Sequence, residues 1–195
     1  MDALEAPVRL LGIGGSSRAT SITRNVLADV LEIAYGLGAE IDLASVHDLD
    51  LPVYNEDIDF ADQPEALHTL LEKMKWANGF VIASPTYHSS IGGGIKNVLD
   101  ALHILHGADN TYFDVRPVGL IAYGGPSSIN SINALLHTTR GMRGLVVPTS
   151  LTVSRTQLDE TRTTVTDEPT RNRATSLITE VLTLAKLQTA AKVDL

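Results

Sequence analysis

Apolar residues fall along this chain in two alternating rhythms. The first is a short unbroken run. Val8 to Ile13 is one, ending at Gly14-Gly15, and Glu40–Val46, Gly79–Ala83, Pro117–Tyr123 and Gly144–Val153 are four more. Runs of this length, punctuated by glycine or proline, predict buried strands. The second rhythm has the 3.6-residue period of a helix. Between Ser21 and Leu37 it is carried by Ile22, Val26, Val30, Ile33 and Leu37, with Gly36 and Gly38 as stop signals. After a polar loop from His47 to Gln63, Pro64 opens a helix whose apolar face is Leu67, Leu70, Leu71 and Met74. Ile95, Val98, Leu99 and Leu102 mark the next, then Ile129, Ile132, Leu135 and Leu136, and finally Leu177, Val181 and Leu184. The Thr-rich, charged stretch 154–173 reads as a mobile surface loop. No repeat or linker divides the chain, so residues 1–195 are expected to form a single domain.

Five strands separated by helical crossovers must run parallel and be covered on both faces. Right-handed crossovers then give an α/β doubly wound three-layer sandwich with a five-stranded parallel sheet, of flavodoxin-like or Rossmann type. Ligands of such sheets bind outside the carboxyl ends of the strands. The loops after the first, third and fourth strands are therefore where chemistry is expected.

Composition narrows the options. The chain has 195 residues, 15 Lys+Arg against 23 Asp+Glu, a net charge of -8 and no cysteine. The acidic balance gives no electrostatic footprint for nucleic acid or an anionic membrane. Without cysteine there is no disulfide, thiolate nucleophile or iron–sulfur ligand. No apolar run approaches the roughly 20 residues that span a bilayer, and the acidic N-terminus does not read as a secretory signal. A cytoplasmic location is expected.

The first loop, Gly14-Gly15-Ser16-Ser17-Arg18-Ala19-Thr20-Ser21-Ile22-Thr23, runs straight into a helix. A helix start offers unpaired N–H groups and the positive end of the dipole, and here hydroxyls and a guanidinium surround it. That set suits a dianionic monophosphate; the plainer reading is a turn capped by Ser21. A dinucleotide fingerprint from Gly12 has Ser17 in place of its third glycine, and no Gly-Lys-Ser/Thr tripeptide supports a Walker loop. The second loop, Ser84-Pro85-Thr86-Tyr87-His88-Ser89-Ser90-Ile91-Gly92-Gly93-Gly94, has a stiff exit and a flexible entry to its helix. Tyr87 and His88 are placed to pack on an aromatic ring. The third, Tyr123-Gly124-Gly125-Pro126, repeats the aromatic-then-glycine pattern. Two such loops beside a phosphate site form an edge shaped for flavin mononucleotide (FMN).

These residues resemble the NADPH-dependent FMN reductases, flavodoxin-like enzymes that include quinone, chromate and azo-dye reductases. Gly15-Ser16-Ser17-Arg18-Ala19-Thr20-Ser21 matches the family's Gly-Ser-x-Arg-x-x-Ser loop. Ser84-Pro85-Thr86-Tyr87-His88-Ser89-Ser90 with Lys96-Asn97-Val98-Leu99-Asp100 matches its Ser-Pro-x-Tyr-x-x-Ser loop and Lys-Asn-x-x-Asp helix. Thr86 and His88 stand where many members carry Glu and Asn. The resemblance implies hydride transfer from NADPH or NADH to FMN, with no side-chain acid needed for the transfer itself. Ser16, Arg18, Ser21, Ile22 and Thr23 are expected to hold the phosphate. Pro85, Thr86, Tyr87, His88, Tyr123, Gly124 and Gly125 are expected to frame the ring. The electrons then pass to a small-molecule acceptor or to a flavin-dependent monooxygenase. A flavodoxin-like electron carrier and a silent binding protein are the competing classes. The family also implies a homodimer or homotetramer, which the apolar segments Ile104-Leu105 and Tyr112-Phe113 would serve.

Other constellations carry less. His103 and His106 flank Ile104-Leu105, but zinc would need Asp100 or Asp109 to complete the set. His47, His68 and His137 stand singly and read as surface residues. No Gly-x-Ser-x-Gly elbow supports a hydrolase. Arg116, Arg140 and Arg143 are candidates for a donor's 2′-phosphate.

Overall fold

A computed structural model describes residues 6–108 and 112–193, with side chains to 191. The expected runs become strands β1 (Arg9–Gly14), β2 (Glu40–Ser45), β3 (Gly79–Tyr87), β5 (Pro117–Tyr123) and β6 (Leu145–Val153), with a two-residue β4 (Ser90–Ile91). The helices are α1 (Ile22–Gly36), α2 (Val46–Leu49), α3 (Glu65–Trp76), α4 (Gly93–Ala101), α5 (Ser128–Gly141) and α6 (Glu168–Val193). The five long strands are parallel in the order β2-β1-β3-β5-β6, and β4 pairs antiparallel with the end of β3. Counting parallel strands alone, the order is 2-1-3-4-5, that of a flavodoxin-like fold.

Alternating side chains on each strand feed two separate cores. Leu10, Val81, Ala83, Ile121 and Leu151 face Val26, Leu27 and Val30 of α1 and Leu177, Ile178 and Val181 of α6. Leu11, Ile13, Phe80, Ile82 and Leu120 face Leu67 and Leu70 of α3, Ile95 and Leu99 of α4, and Ile132 and Leu135 of α5. Each fully buried aliphatic side chain contributes about 1.5–3 kcal/mol, which explains why the runs are unbroken.

Three differences from the sequence reading bear on function. β3 does not stop at Ser84-Pro85 but continues to Tyr87. Its pairing with β1 ends at Ala83, so beyond that point the strand is an edge, where proline is tolerated. The stretch 154–173 is not one long loop. It holds a single 3-10 turn at Arg155–Gln157, a bridge between Leu158 and Val165, and the start of α6 at Glu168. Asp29 of α1 fastens it, accepting from the Val165 N–H (3.0 Å) and the Arg171 guanidinium (2.6 Å). Finally, the segments that motivated self-association pack inward. Phe113 is fully buried edge-on against Phe80 (5.0 Å between centroids), and Ile104, Leu105 and Tyr112 pack against the same core.

Candidate active site

β1 ends against β3, and this contact shapes the first loop. A Cβ on Gly14 would lie 2.3 Å from the Ala83 carbonyl oxygen, so only glycine fits. Gly15 follows with φ +105 and donates to that carbonyl (3.2 Å), turning the chain off the sheet. The loop is closed by Ser21, whose buried Oγ accepts from the Ser16 N–H (2.9 Å) and the Arg24 N–H (3.3 Å). Ser21 is thus the N-cap of α1 and the brace of the loop together. His47, at the start of α2, adds an outer tie: its Nδ1 donates to the Ser17 carbonyl (3.0 Å). This histidine, one of three that stand singly in the sequence, therefore supports the loop.

The second loop is held by Ser84, whose fully buried Oγ accepts from the Gly92 N–H (3.0 Å). Between them β3 and β4 form a hairpin whose tip, His88 (φ 49) and Ser89 (φ 59), lies in the left-handed region. That conformation is uncommon for residues other than glycine, and such outliers concentrate at functional sites. Thr86 Oγ1 accepts from Ser131 of α5 (2.9 Å), tying the end of β3 to the helix that follows the third loop. Asn97 of the Lys-Asn-x-x-Asp segment is in the lining of neither cavity. It accepts from the Tyr54 N–H (2.8 Å) and donates to the Pro52 carbonyl (2.8 Å), clamping the acidic loop. Lys96 and Asp100 pair along α4.

Ser16, Arg18, Ser21, Ile22 and Thr23 from the first loop meet Pro85, Thr86 and Tyr87 from the second and Tyr123 and Gly124 from the third. Together with Thr20 they line a cleft of about 170 Å³. Gly125 lies just beyond, in an adjoining cavity of about 690 Å³ that shares Tyr123 and Gly124. His88, at the exposed hairpin tip, is in the lining of neither. The sequence reading missed the far wall of the larger cavity, Thr152 to Gln157. A signal was present: Ser154 and Gln157 are spaced as a capping box, and the turn they cap is that wall.

The cleft is lined by hydrogen-bond donors. Arg18 is exposed, Thr20 and Thr23 bring hydroxyls, and the N–H groups of Ile22 and Thr23 open a 15-residue helix. Those two N–H groups have no partner among the described residues. No acidic side chain lines the cleft, although the chain carries a net charge of -8. Such a donor set fits a phosphate monoester at the helix start, and the floor formed by Pro85, Tyr87 and Tyr123 fits a flat ring.

The candidate arginines for a 2′-phosphate lie elsewhere. Arg116 precedes β5 and is sequestered. It donates to the carbonyls of Met74 (2.6 Å), Ala77 (2.9 Å), Phe113 (2.9 Å) and Tyr112 (3.0 Å), with burial lowering its pKa. Arg140 and Arg143 flank the end of α5, just before β6, so all three sit at the amino edge of the sheet. His103 and His106 stack (5.3 Å) and share the Tyr112 hydroxyl, 3.3 Å from each Nδ1. No group of three or more His, Asp or Glu placed to hold a metal occurs among the described residues, and Asp109 lies outside them.

Residues 8–157 match the family model described as NADPH-dependent FMN reductase. The chain belongs to the NADPH-dependent FMN reductase family. Membership makes it an oxidoreductase with FMN as cofactor and NADPH as electron donor. Relatives of this reductase include an NADPH azoreductase of Bacillus sp. (strain OY1-2), 32% identical over 146 residues, covering 72% of this chain and 74% of that one. An FMN-dependent NADPH-azoreductase of Staphylococcus saprophyticus is 30% identical over 161 residues, covering 72% and 80%. Among solved structures, FerB, a flavoenzyme NAD(P)H:(acceptor) oxidoreductase from Paracoccus denitrificans, superposes with TM-score 0.75 at 20% identity, over 92% of this reductase and 98% of that chain. That likeness shows the shared fold. No helix of the described residues is long and apolar enough to cross a membrane.

Proposed function

We propose that the cleft at the carboxyl edge holds the FMN of this reductase, and that its electrons pass to a small planar acceptor of azo or quinone type. The observation that carries the site assignment is the donor-rich, acid-free lining where three strand-exit loops converge. In this reading Arg18, the Thr20 and Thr23 hydroxyls and the Ile22 and Thr23 N–H groups hold the phosphate. Ser16 and Ser21 keep those groups in place through their shared hydrogen bond. Pro85, Thr86, Tyr87, Tyr123, Gly124 and Gly125 seat the ring and exclude water from one face.

Bound FMN supplies hydride acceptance from the nicotinamide and two-electron delivery to the acceptor. The protein's part is position and electrostatics. Helix α1 and Arg18 neutralise the phosphate, and the hydrogen-bonded hairpin fixes where the ring lies. The adjoining cavity of about 690 Å³ is within the usual range of ligand pockets and gives donor and acceptor a place beside the ring. Azoreductase relatives support the acceptor class. Transfer to a monooxygenase remains an outcome of the test.

The same proposal includes a homodimer, now motivated by different residues. Val53 is 87% exposed and Phe60 55%, on the loop clamped by Asn97, and the contact proposed is one in which a partner covers both.

The reading is tested by NADPH oxidation with and without added FMN, in the presence of an azo dye or a quinone. Turnover that requires FMN, whether retained by the protein or added, and consumes dye or quinone is expected. FMN binding without NADPH oxidation would make the chain an electron carrier. Reduced FMN released with neither acceptor consumed would favour a monooxygenase partner.

A further inference from the structure

The larger cavity contains a single charged residue in its lining, Arg155, and the way this residue is presented is informative. Arg155 opens the 3-10 turn Arg155–Gln157 that follows β6. That turn is braced from both sides. The Ser154 N–H donates to Gln157 Oε1 (2.8 Å), and Gln157 Nε2 donates to Thr170 Oγ1 (2.6 Å) at the start of α6. Thr170 in turn donates to Asp167 (2.5 Å). The backbone carrying Arg155 is therefore fixed to a 26-residue helix, while its exposed guanidinium makes no hydrogen bond or ion pair with any described residue.

The chain carries 23 acidic residues against 15 basic ones, so a cavity lined by one cation and no carboxylate runs against its overall charge balance. The remaining lining of the cavity, such as Gly125, Pro126 and Ile129, is neutral. Arg18 belongs to the smaller cleft, and Arg24 is engaged with Asp48 at 3.7 Å. Arg116, Arg140 and Arg143 are at the opposite edge of the sheet.

We infer that Arg155 selects the hydride donor by binding the 2′-phosphate of NADPH. The inference rests on the flavin-site reading, because the donor must reach a ring seated at Tyr123 and Gly124, the two residues common to both cavities. A guanidinium suits a phosphate monoester, which it meets with two parallel N–H···O bonds, and discriminates it from the ribose hydroxyl of NADH.

The test compares kcat/KM for NADPH and NADH in the wild type, Arg155→Ala and Arg155→Lys. The NADPH/NADH ratio is expected to fall roughly 10- to 100-fold in Arg155→Ala, through KM for NADPH, and to recover in part in Arg155→Lys. An unchanged ratio in Arg155→Ala would overturn the assignment. A second arm needs no turnover: calorimetric binding of 2′,5′-ADP and 5′-ADP to the FMN-loaded protein. Tighter binding of 2′,5′-ADP, lost in Arg155→Ala, supports the inference even if the chain proves to be an electron carrier. Equal binding of the two nucleotides by the wild type contradicts it even if the chain turns over NADPH.

Discussion

Replacing Ser21 by alanine removes one oxygen atom with two structural duties. That atom accepts from the Arg24 N–H as the cap of α1 and from the Ser16 N–H as the brace of the first loop. The cap alone is worth about 1 kcal/mol. The Ser16 N–H is buried, and leaving it without an acceptor costs a further 1–3 kcal/mol, approximately. Flavin-free Ser21→Ala should therefore lose roughly 2–4 kcal/mol, lowering Tm by roughly 5–15 °C for a chain of this size. A companion variant, Ser21→Asp, keeps an acceptor for both N–H groups and suits the helix dipole, but sets a carboxylate against the phosphate. It should stay within about 1 kcal/mol of wild-type stability while FMN affinity falls more than about 10-fold. The assays are urea unfolding without flavin and fluorescence titration with FMN. The reasoning is refuted if Ser21→Ala unfolds within about 0.5 kcal/mol of wild type, the range of an ordinary surface substitution, or if Ser21→Asp binds FMN normally.

Three other outcomes follow from the same geometry. Arg18→Ala removes a charge-assisted contact from an exposed side chain. FMN affinity should fall about 10- to 150-fold while the urea midpoint scarcely moves; a large stability loss with normal affinity would make Arg18 structural. Arg116→Ala strands the carbonyls of Met74 and Ala77 near the end of α3 and of Tyr112 in the turn before β5, while that of Phe113 keeps the residue-116 N–H, and should cost about 3–5 kcal/mol by urea unfolding, with FMN affinity per folded molecule unchanged. The carboxyls of Asp159, bonded chiefly by Thr161, and Asp167, bonded chiefly by Thr170, titrate below the usual carboxylate range. Their stabilisation is present above the unfolded value of about 3.9 and is lost as pH falls through the lower folded values. Tm should drop on acidification from about pH 5 to about pH 3, and drop less in Asp159→Asn.

The layered fold was legible because both of its rhythms are local. Val8 to Ile13 and Pro117 to Tyr123 announce buried parallel strands, and Leu67, Leu70, Leu71 and Met74 a helix face. The first loop was legible because glycines, hydroxyls and Arg18 adjoin in sequence. Part of what the sequence reading missed depends on contacts between distant residues. The register that lets Pro85 continue β3 is set by where β1 ends. Thr-rich composition hid the segment 154–173, whose order comes from Asp29, 136 positions away from Val165 in sequence. The start of α6 had a local signal, since Asp167 followed by Pro169 marks a helix N-terminus, and Asp167 Oδ2 does accept from the Thr170 N–H (3.0 Å). Burial of Phe113 against Phe80 could not be read from an apolar pair flanked by polar residues.

The central claim is that the donor-lined cleft seats an FMN that NADPH reduces. Its most direct test is anaerobic mixing of FMN-loaded, desalted protein with one equivalent of NADPH, followed by visible absorbance. The account predicts a yellow protein that bleaches on mixing and regains its colour when an azo dye or quinone is added. A protein that leaves the desalting column colourless, or one that stays yellow in the presence of NADPH, would contradict it.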